Sequence, residues 1–201
     1  MAAFCNADRP AQFESLPSMT TKALFGYATR WDQTTQLHCG TYKRLAPGAF
    51  DKSLASGSRI DFSINHIDGQ CVGSNRDGLQ LHSDEYGLAY RFRIPETPFG
   101  RQLRMMAESK EDDGISVGFY WHSAKKATRW IDGREVICIR EAELYEVSLM
   151  SGLASGAIKD AFATYGNVDY SMSLREECLT GKYRYDAAAV GVTRALHRLL
   201  A

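Results

Sequence analysis

Short runs in which apolar and polar residues alternate fill most of the chain between residues 23 and 150. Alternation with a period of two is typical of β-strands that bury one face, and turn-forming residues separate the runs. The runs are ALFGYATRW, TYKRL, RIDFSINHI, LQLHSD, LAYRFRI, ISVGFYWH, residues 128–131, EVICIRE and ELYEVSLM. Asp132 and Gly133 separate two of them and predict a tight hairpin. The sequence therefore predicts a mainly β fold with flanking helices, arranged as a closed or nearly closed antiparallel β-barrel.

Two stretches have the spacing of helices rather than strands. Residues 48–54 form a short candidate helix after a proline. Residues 98–110 place Phe99, Leu103 and Met106 four and three positions apart, which puts them on one helical stripe. We predict a helix in each stretch.

The two ends of the chain differ from the middle. Residues 1–22 show no hydrophobic period, so they predict a flexible lead-in. Residues 23–155 hold the predicted strands and form the predicted barrel domain. Residues 156–201 are rich in small residues and end in an amphipathic pattern, which predicts a helical tail that could dock on the barrel, pair with another subunit or be a removable extension.

Composition excludes several classes of protein. The 201 residues carry 24 Lys and Arg against 24 Asp and Glu, so a broad basic surface for nucleic acid is not expected. Apolar stretches are shorter than the roughly 18 residues that a membrane helix needs. Asp8 and Arg9 precede any apolar stretch, which is not the layout of a secretory signal. We expect a protein that binds neither nucleic acid nor membrane and works inside a cell.

The sequence predicts no metal and no other cofactor. The cysteines are odd in number and never form a C-x-x-C pair, so neither a disulfide framework nor a thiolate metal site is indicated. They are Cys5, Cys39, Cys71, Cys138 and Cys178. The acidic residues 111–113 have no histidine among them and read as a solvated turn. The basic and aromatic patch at residues 125–130 is weak evidence for nucleic acid in a neutral protein.

Ser116 is the first candidate for chemistry. It is the serine of Gly114-Ile-Ser-Val-Gly118, which fits the G-x-S-x-G pattern of a nucleophile elbow. An elbow needs a helix after the serine, but the apolar alternation continues to Trp121 and predicts a strand instead. Ser116 is therefore either a small residue in a packed strand or a nucleophile whose base comes from elsewhere in the chain.

His66 and Glu146 each interrupt an apolar pattern. His66 follows the alternating Ile60, Phe62 and Ile64, where a polar residue is either hydrogen-bonded in the core or part of a site. In the last run, Tyr145, Val147 and Leu149 form one predicted face, and Leu144, Glu146, Ser148 and Met150 form the other. Glu146 is either solvated on an edge strand or buried beside a partner such as an imidazole.

Taken together and in this order, the landmarks of the chain resemble those of the prohead proteases of tailed bacteriophages. These serine proteases mature capsids and share a fold with the herpesvirus assemblins. The landmarks are GYATRWD, LAPGAF at residues 45–50, INHID around His66, Gly87-Leu88, TPFG at residues 97–100, GISVGF around Ser116 and ELYEVSLM around Glu146. The chain departs from the family pattern where Ile67 separates His66 from Asp68, and where Ser151-Gly152 stand in place of a proline.

The resemblance implies a barrel of the herpesvirus-protease type with His66 as base, Ser116 as nucleophile and Glu146 as third member of a triad. It implies a serine endopeptidase that cleaves the scaffold or delta segment of the major capsid protein, and its own tail. Cleavage would take place in the host cytoplasm, inside the assembling procapsid. Analogy with the assemblins predicts a homo-oligomer such as a dimer.

Two other functions are alternatives to the protease. One is a catalytically silent barrel that helps the capsid to assemble. The other is an α/β-hydrolase esterase that would combine Ser116 with Asp160 or Asp169 and with His197, in the chain order of that fold. The esterase requires alternating strands and helices, which the pattern does not show.

Overall fold

Strands dominate the computed structural model, which describes residues 20–36, 39–109, 114–122, 125–150, 163–169 and 173–174. Within the described residues, strands account for 52% and helices for 15%. The strands are β1 (Thr20–Arg30), β2 (Thr34–Gln36), β3 (Tyr42–Leu45), β4 (Asp61–Ile64), β5 (Cys71–Ser74), β6 (Leu79–Ser83), β7 (Gly87–Phe92), β8 (Gly114–Tyr120), β9 (Lys126–Ile131), β10 (Arg134–Ile139), β11 (Glu143–Met150) and β12 (Thr164–Asp169). The helices are α1 (Asp51–Ala55) and α2 (Pro98–Ser109).

The strands form three open sheets, so the prediction of a closed or nearly closed antiparallel barrel is wrong. The strand orders are β12-β1-β7-β6, β2-β3-β10-β9 and β5-β4-β11-β8. Each sheet ends in two edge strands, and within the described residues no ladder of hydrogen bonds joins one sheet to the next. Two pairings, β3 with β10 and β4 with β11, are also parallel. Alternation predicts that a segment is a strand, but it does not encode which edges pair.

One hydrophobic core holds the three sheets together. Its buried side chains come from every sheet and include Leu24 of β1, Ile139 of β10 and Val147 of β11. Phe62 of β4 stacks on Phe92 of β7, with ring centroids 4.4 Å apart, and thereby joins two sheets. Burying a side chain of this size stabilises the fold by about 1.5–3 kcal/mol, so side-chain packing can join sheets that share no ladder of hydrogen bonds.

The predicted hairpin between β9 and β10 is confirmed. Arg134 pairs with Ile131, which leaves Asp132 and Gly133 as the two loop residues. Both have positive φ, 50° and 73°. This is the backbone of a type I′ turn, whose twist matches that of the flanking strands. Asp and Gly are the residues that adopt it at low cost.

The runs predicted as strands from residue 23 to residue 150 all contain a strand, and both predicted helices form. The pattern missed the short β2 and β5. It also missed β12, which lies within the predicted tail and pairs with β1. The predicted terminal helix lies outside the described residues. The division into lead-in, barrel domain and tail stays a prediction, as does self-processing.

The sheet β5-β4-β11-β8 brings together the segments that carry His66, Ser116 and Glu146. β11 is its second strand from one edge and pairs in parallel with β4 and antiparallel with β8. A parallel pairing needs a long crossover, and residues 65–142 supply one that includes β6 and β7 of one other sheet and β9 and β10 of the third. Segments far apart in the sequence therefore become direct neighbours.

Candidate active site

His66 and Glu146 are in direct polar contact at this sheet. His66 Nδ1 lies 2.5 Å from Glu146 Oε2, although the residues are 80 positions apart. An ionised carboxylate only accepts hydrogen bonds, so this contact places the proton of a neutral imidazole on Nδ1 and leaves Nε2 as the acceptor. The His66 side chain is 31% exposed and that of Glu146 is 14% exposed. The ring thus reaches solvent while the carboxylate is largely covered.

Ser63 holds the other oxygen of the Glu146 carboxylate. Its hydroxyl donates a short hydrogen bond to Glu146 Oε1, and Ser63 itself is buried. Burial of a carboxylate is costly unless its oxygens have donors. Here one oxygen faces Ser63 and the other faces His66, so the carboxylate plane is fixed relative to the imidazole.

A tight turn presents the imidazole. Asn65 and His66 have φ of 57° and 53°, and Ile67 N donates to Ile64 O at 3.2 Å, which makes a type I′ turn at the end of β4. Asn and His are among the non-glycine residues that adopt positive φ most readily. The turn is anchored to β11, since Asn65 N donates to Leu149 O at 2.9 Å and His66 N donates to Ser148 Oγ at 3.0 Å.

Ser116 lies on the strand beside Glu146. It is half-buried in the middle of β8, which continues past it to Tyr120, so the strand predicted around Ser116 is confirmed and a nucleophile elbow is not formed. Ser116 pairs with Ser148 across the antiparallel ladder, and Ser148 pairs with Ser63 across the parallel one. Paired residues place their side chains on the same face, with Cβ atoms about 5 Å apart.

The three predicted site residues lie on one side of the same sheet, but within the described part of the chain only two of them are in polar contact. His66 and Glu146 are in direct contact. Ser116 occupies the same sheet face one strand away, opposite the hydroxyl that anchors the His66 backbone. Among the described residues, no hydrogen bond joins the Ser116 hydroxyl to the His66 ring. Such contacts are often long before substrate binds, so the arrangement is compatible with a nucleophile and its base.

A β-bulge changes the faces predicted for β11. Leu144 pairs with Phe119 and Glu146 with Gly118, which leaves Tyr145 as an extra residue. Leu144 consequently turns into the core with Val147, while Tyr145 is 39% exposed beside Glu146. The prediction that Leu144 shares a face with Glu146 is wrong, because strict alternation fails at a bulge.

Sequence reasoning missed two contributors to the site, Ser63 and Ser148. Each stands on an alternating run that already contained a candidate, Ser63 three positions before His66 and Ser148 two after Glu146. A second polar residue on an otherwise apolar run near a candidate is the signal that could have identified them. Their partners became evident only from the pairing of β4 with β11.

The acid and base of the esterase alternative fall outside what the structure describes. The described residues show no alternation of strands with helices. Asp160 and His197 lie outside the described residues, and the Asp169 side chain is not described.

The described residues also bear on metals and membranes. No group of three or more His, Cys, Asp or Glu side chains is placed there to hold a metal ion. The acidic residues 111–113 are not described. In the same part of the chain, neither helix has the length and apolarity to span a membrane.

Comparison with protein families assigns most of the chain. The family model of the caudovirus prohead serine proteases matches residues 11–168, which include His66, Ser116 and Glu146. No curated protein matches the chain. Membership makes the protein a serine protease of capsid maturation, with capsid protein as substrate, acting inside the assembling procapsid of a phage. The chain belongs to the family of caudovirus prohead serine proteases.

Proposed function

We propose that Ser116, His66 and Glu146 form the catalytic triad of this protease. The observation that carries the proposal is the contact between His66 Nδ1 and Glu146 Oε2, on the sheet face that also holds Ser116. A nucleophilic serine needs a base, and the base needs a third group that fixes its tautomer. The contact with Glu146 meets the second requirement and leaves Nε2 available for the first.

The reaction is an acyl transfer in two halves. Ser116 Oγ attacks the peptide carbonyl carbon while His66 Nε2 takes the hydroxyl proton. The C–N bond then breaks, and the imidazolium gives its proton to the leaving amine. In the second half, His66 takes a proton from water, the resulting hydroxide attacks the acyl-enzyme, and the proton returns to Ser116 as the acid leaves. Glu146 offsets the charge of the imidazolium in both halves, and its own position is held by Ser63.

The proposed substrates are the scaffold or delta segment of the major capsid protein and the tail of the protease itself. A procapsid encloses protease and substrate in one small volume, so the local substrate concentration is high. A modest intrinsic activity is sufficient to process the capsid protein in that setting, even where dilute peptides are cleaved slowly. We also propose that the protein forms a homo-oligomer such as a dimer.

Co-expression with the capsid protein tests this function. Intact masses of both proteins would be measured for the wild type and for Ser116→Ala, His66→Ala and Glu146→Gln. We expect loss of a capsid segment and of the protease tail with the wild type, and full-length products with Ser116→Ala. Ser83→Ala is the matched control, because Ser83 is also a half-buried strand serine but belongs to another sheet.

The same experiment separates the alternatives. Normal processing by Ser116→Ala would remove Ser116 as nucleophile. Unprocessed capsid protein in correctly assembled shells, with wild type and variants alike, would favour a silent assembly factor. An esterase that used Ser116 would hydrolyse a small ester and leave the capsid protein intact.

A further inference from the structure

Exposed apolar side chains are concentrated around the His66 and Glu146 pair. Large exposed apolar residues in the described part of the chain number six, and three of them, Ile67, Tyr120 and Tyr145, lie next to this pair or on the strand beside it. Tyr120 is 64% exposed. Exposed apolar patches on soluble proteins mark interaction sites when they are contiguous rather than scattered.

The position of Tyr145 depends on two local features. The bulge in β11 places it on the outer face beside Glu146. Gly118, opposite Glu146, has no side chain, and a Cβ built there would lie 2.7 Å from Cε2 and 2.8 Å from Cζ of Tyr145. The tyrosine ring therefore fills the space above Gly118 and lies across β8.

Tyr120 extends this surface along the strand. Its ring stacks on that of Tyr145, with centroids 4.6 Å apart and an interplanar angle of 29°. We call the two rings the aromatic platform. Ser116, Gly118 and Tyr120 alternate along one face of β8, so the platform begins two residues from the proposed nucleophile.

This spacing matches that of an extended peptide. Two residues of a β-strand span about 6.6–6.8 Å, which is also the distance between side chains on one face of an extended substrate. A peptide that lies along β8 with its scissile carbonyl at Ser116 therefore places a side chain over Tyr145, two residues away. Domains that bind an extended peptide along a strand recognise alternate side chains in this way.

We infer that Tyr120 and Tyr145 determine substrate specificity by binding an apolar or aromatic side chain of the substrate, two residues from the residue whose carbonyl Ser116 attacks. The inference rests on the proposed function. Stacking on aromatic rings favours flat side chains, and the carboxylates of Glu146 and Asp68 near Tyr145 disfavour acidic ones. Burial, together with the nearby carboxylates of Glu146 and Asp68, raises the pKa of the Tyr145 hydroxyl above its ordinary value.

The test is a cleavage profile on a proteome-derived peptide library, read by mass spectrometry, at high concentrations of wild type, Tyr120→Ala and Ser116→Ala. Tyr120 is the informative position because its ring stacks on Tyr145 while its backbone lies four residues along β8 from Ser116. Trp130→Ala is the control, since Trp130 is an exposed aromatic residue on β9 of another sheet. kcat and KM would then be measured on one favoured peptide. They would also be measured on the same peptide with glycine at the position two residues from the scissile residue.

We expect the wild type to favour apolar or aromatic residues at one position two residues from the scissile residue. Tyr120→Ala should lower kcat/KM for the favoured peptide by about tenfold, mainly through KM, and leave the glycine peptide within about twofold, as for a lost apolar contact. Trp130→Ala should match the wild type. An unchanged profile for Tyr120→Ala, or an equal loss on both peptides, would overturn the inference. Cleavage that persists in Ser116→Ala would instead overturn the proposed function.

Discussion

The buried hydroxyl of Ser148 accepts a hydrogen bond from the backbone N–H of His66 at 3.0 Å. This bond ties the turn that presents the imidazole to the strand that carries Glu146. β11 therefore positions both partners of the contact, because it carries Glu146 and its Ser148 binds the backbone of His66. A change in Ser148 should affect catalysis through the position of the imidazole ring.

Replacement of Ser148 by alanine removes the acceptor and leaves the His66 N–H without its partner. A fully buried unsatisfied group costs about 1–3 kcal/mol, and this bond is only partly buried, so the free energy of unfolding in urea should fall by about 1 kcal/mol, the lower end of that range. Activity at saturating substrate should fall as well, because the imidazole is no longer held beside Glu146. Ser148→Thr, which keeps the hydroxyl, should retain more activity.

Ser74→Ala is the control for this prediction. Ser74 is also fully buried in the same sheet, and its hydroxyl bonds to Asp77 and to the N–H of Arg76. The variant should lose stability but keep its kcat. If both variants lost activity in proportion to stability, Ser148 would have no special relation to the site.

Replacement of Glu146 by glutamine tests the third member of the triad. Glutamine keeps the shape of the side chain but removes the charge that offsets the imidazolium and can present its NH₂ group to His66. In a serine protease such a change costs up to about 10⁴-fold in kcat. Single-turnover cleavage of a capsid-derived peptide would measure it, with Glu143→Gln on the same strand as control. A loss below about threefold would argue that Glu146 is only structural.

Replacement of Gly118 by alanine tests the packing of Tyr145. The new Cβ would collide with the ring, so the ring must move off β8 and away from Tyr120. We expect activity on favoured peptides to drop while the fold survives, because Tyr145 is partly exposed and can shift. Gly166→Ala is the matched control, since a Cβ there meets Phe25 at an ordinary 3.8 Å. Equal activity of both variants would contradict this account.

Glu141 gives a prediction for stability against pH. The hydrogen bond from Lys52, at 2.8 Å, and the neighbouring Lys125 lower the pKa of Glu141 below its ordinary 4.5. A lowered folded-state pKa means that the stabilisation is present above the unfolded value and is lost as pH falls through the folded value. Wild type and Glu141→Gln should differ in urea midpoint at pH 6 and converge at acidic pH. A difference that grows on acidification would be inconsistent with this assignment.

The sequence identified the strands more reliably than their arrangement. Alternation of apolar residues located the strand at Ser116 and the one at Glu146, because one buried face leaves a period of two. It gave no information on pairing, and the expected barrel is three open sheets joined by side chains such as Phe62 and Phe92. Short edge strands such as β2 were missed because three residues show no period.

The site could be predicted as a set of residues but not as a geometry. His66 and Glu146 were candidates because each interrupts an apolar run. Their contact depends on the parallel pairing of β4 with β11, a long-range feature without a local signature. The bulge at Tyr145 is equally invisible in the sequence, since it depends on how β11 meets β8.

The central claim is that Ser116 is a nucleophile activated by His66. Reaction with a fluorophosphonate, followed by peptide mass spectrometry, tests it without knowledge of the cleavage site. We predict a single covalent adduct on Ser116 in the wild type, and labelling at least about a hundredfold slower in His66→Ala, since the base supplies this order of acceleration. An adduct on another residue, or labelling of Ser116 at an unchanged rate in His66→Ala, would contradict the claim.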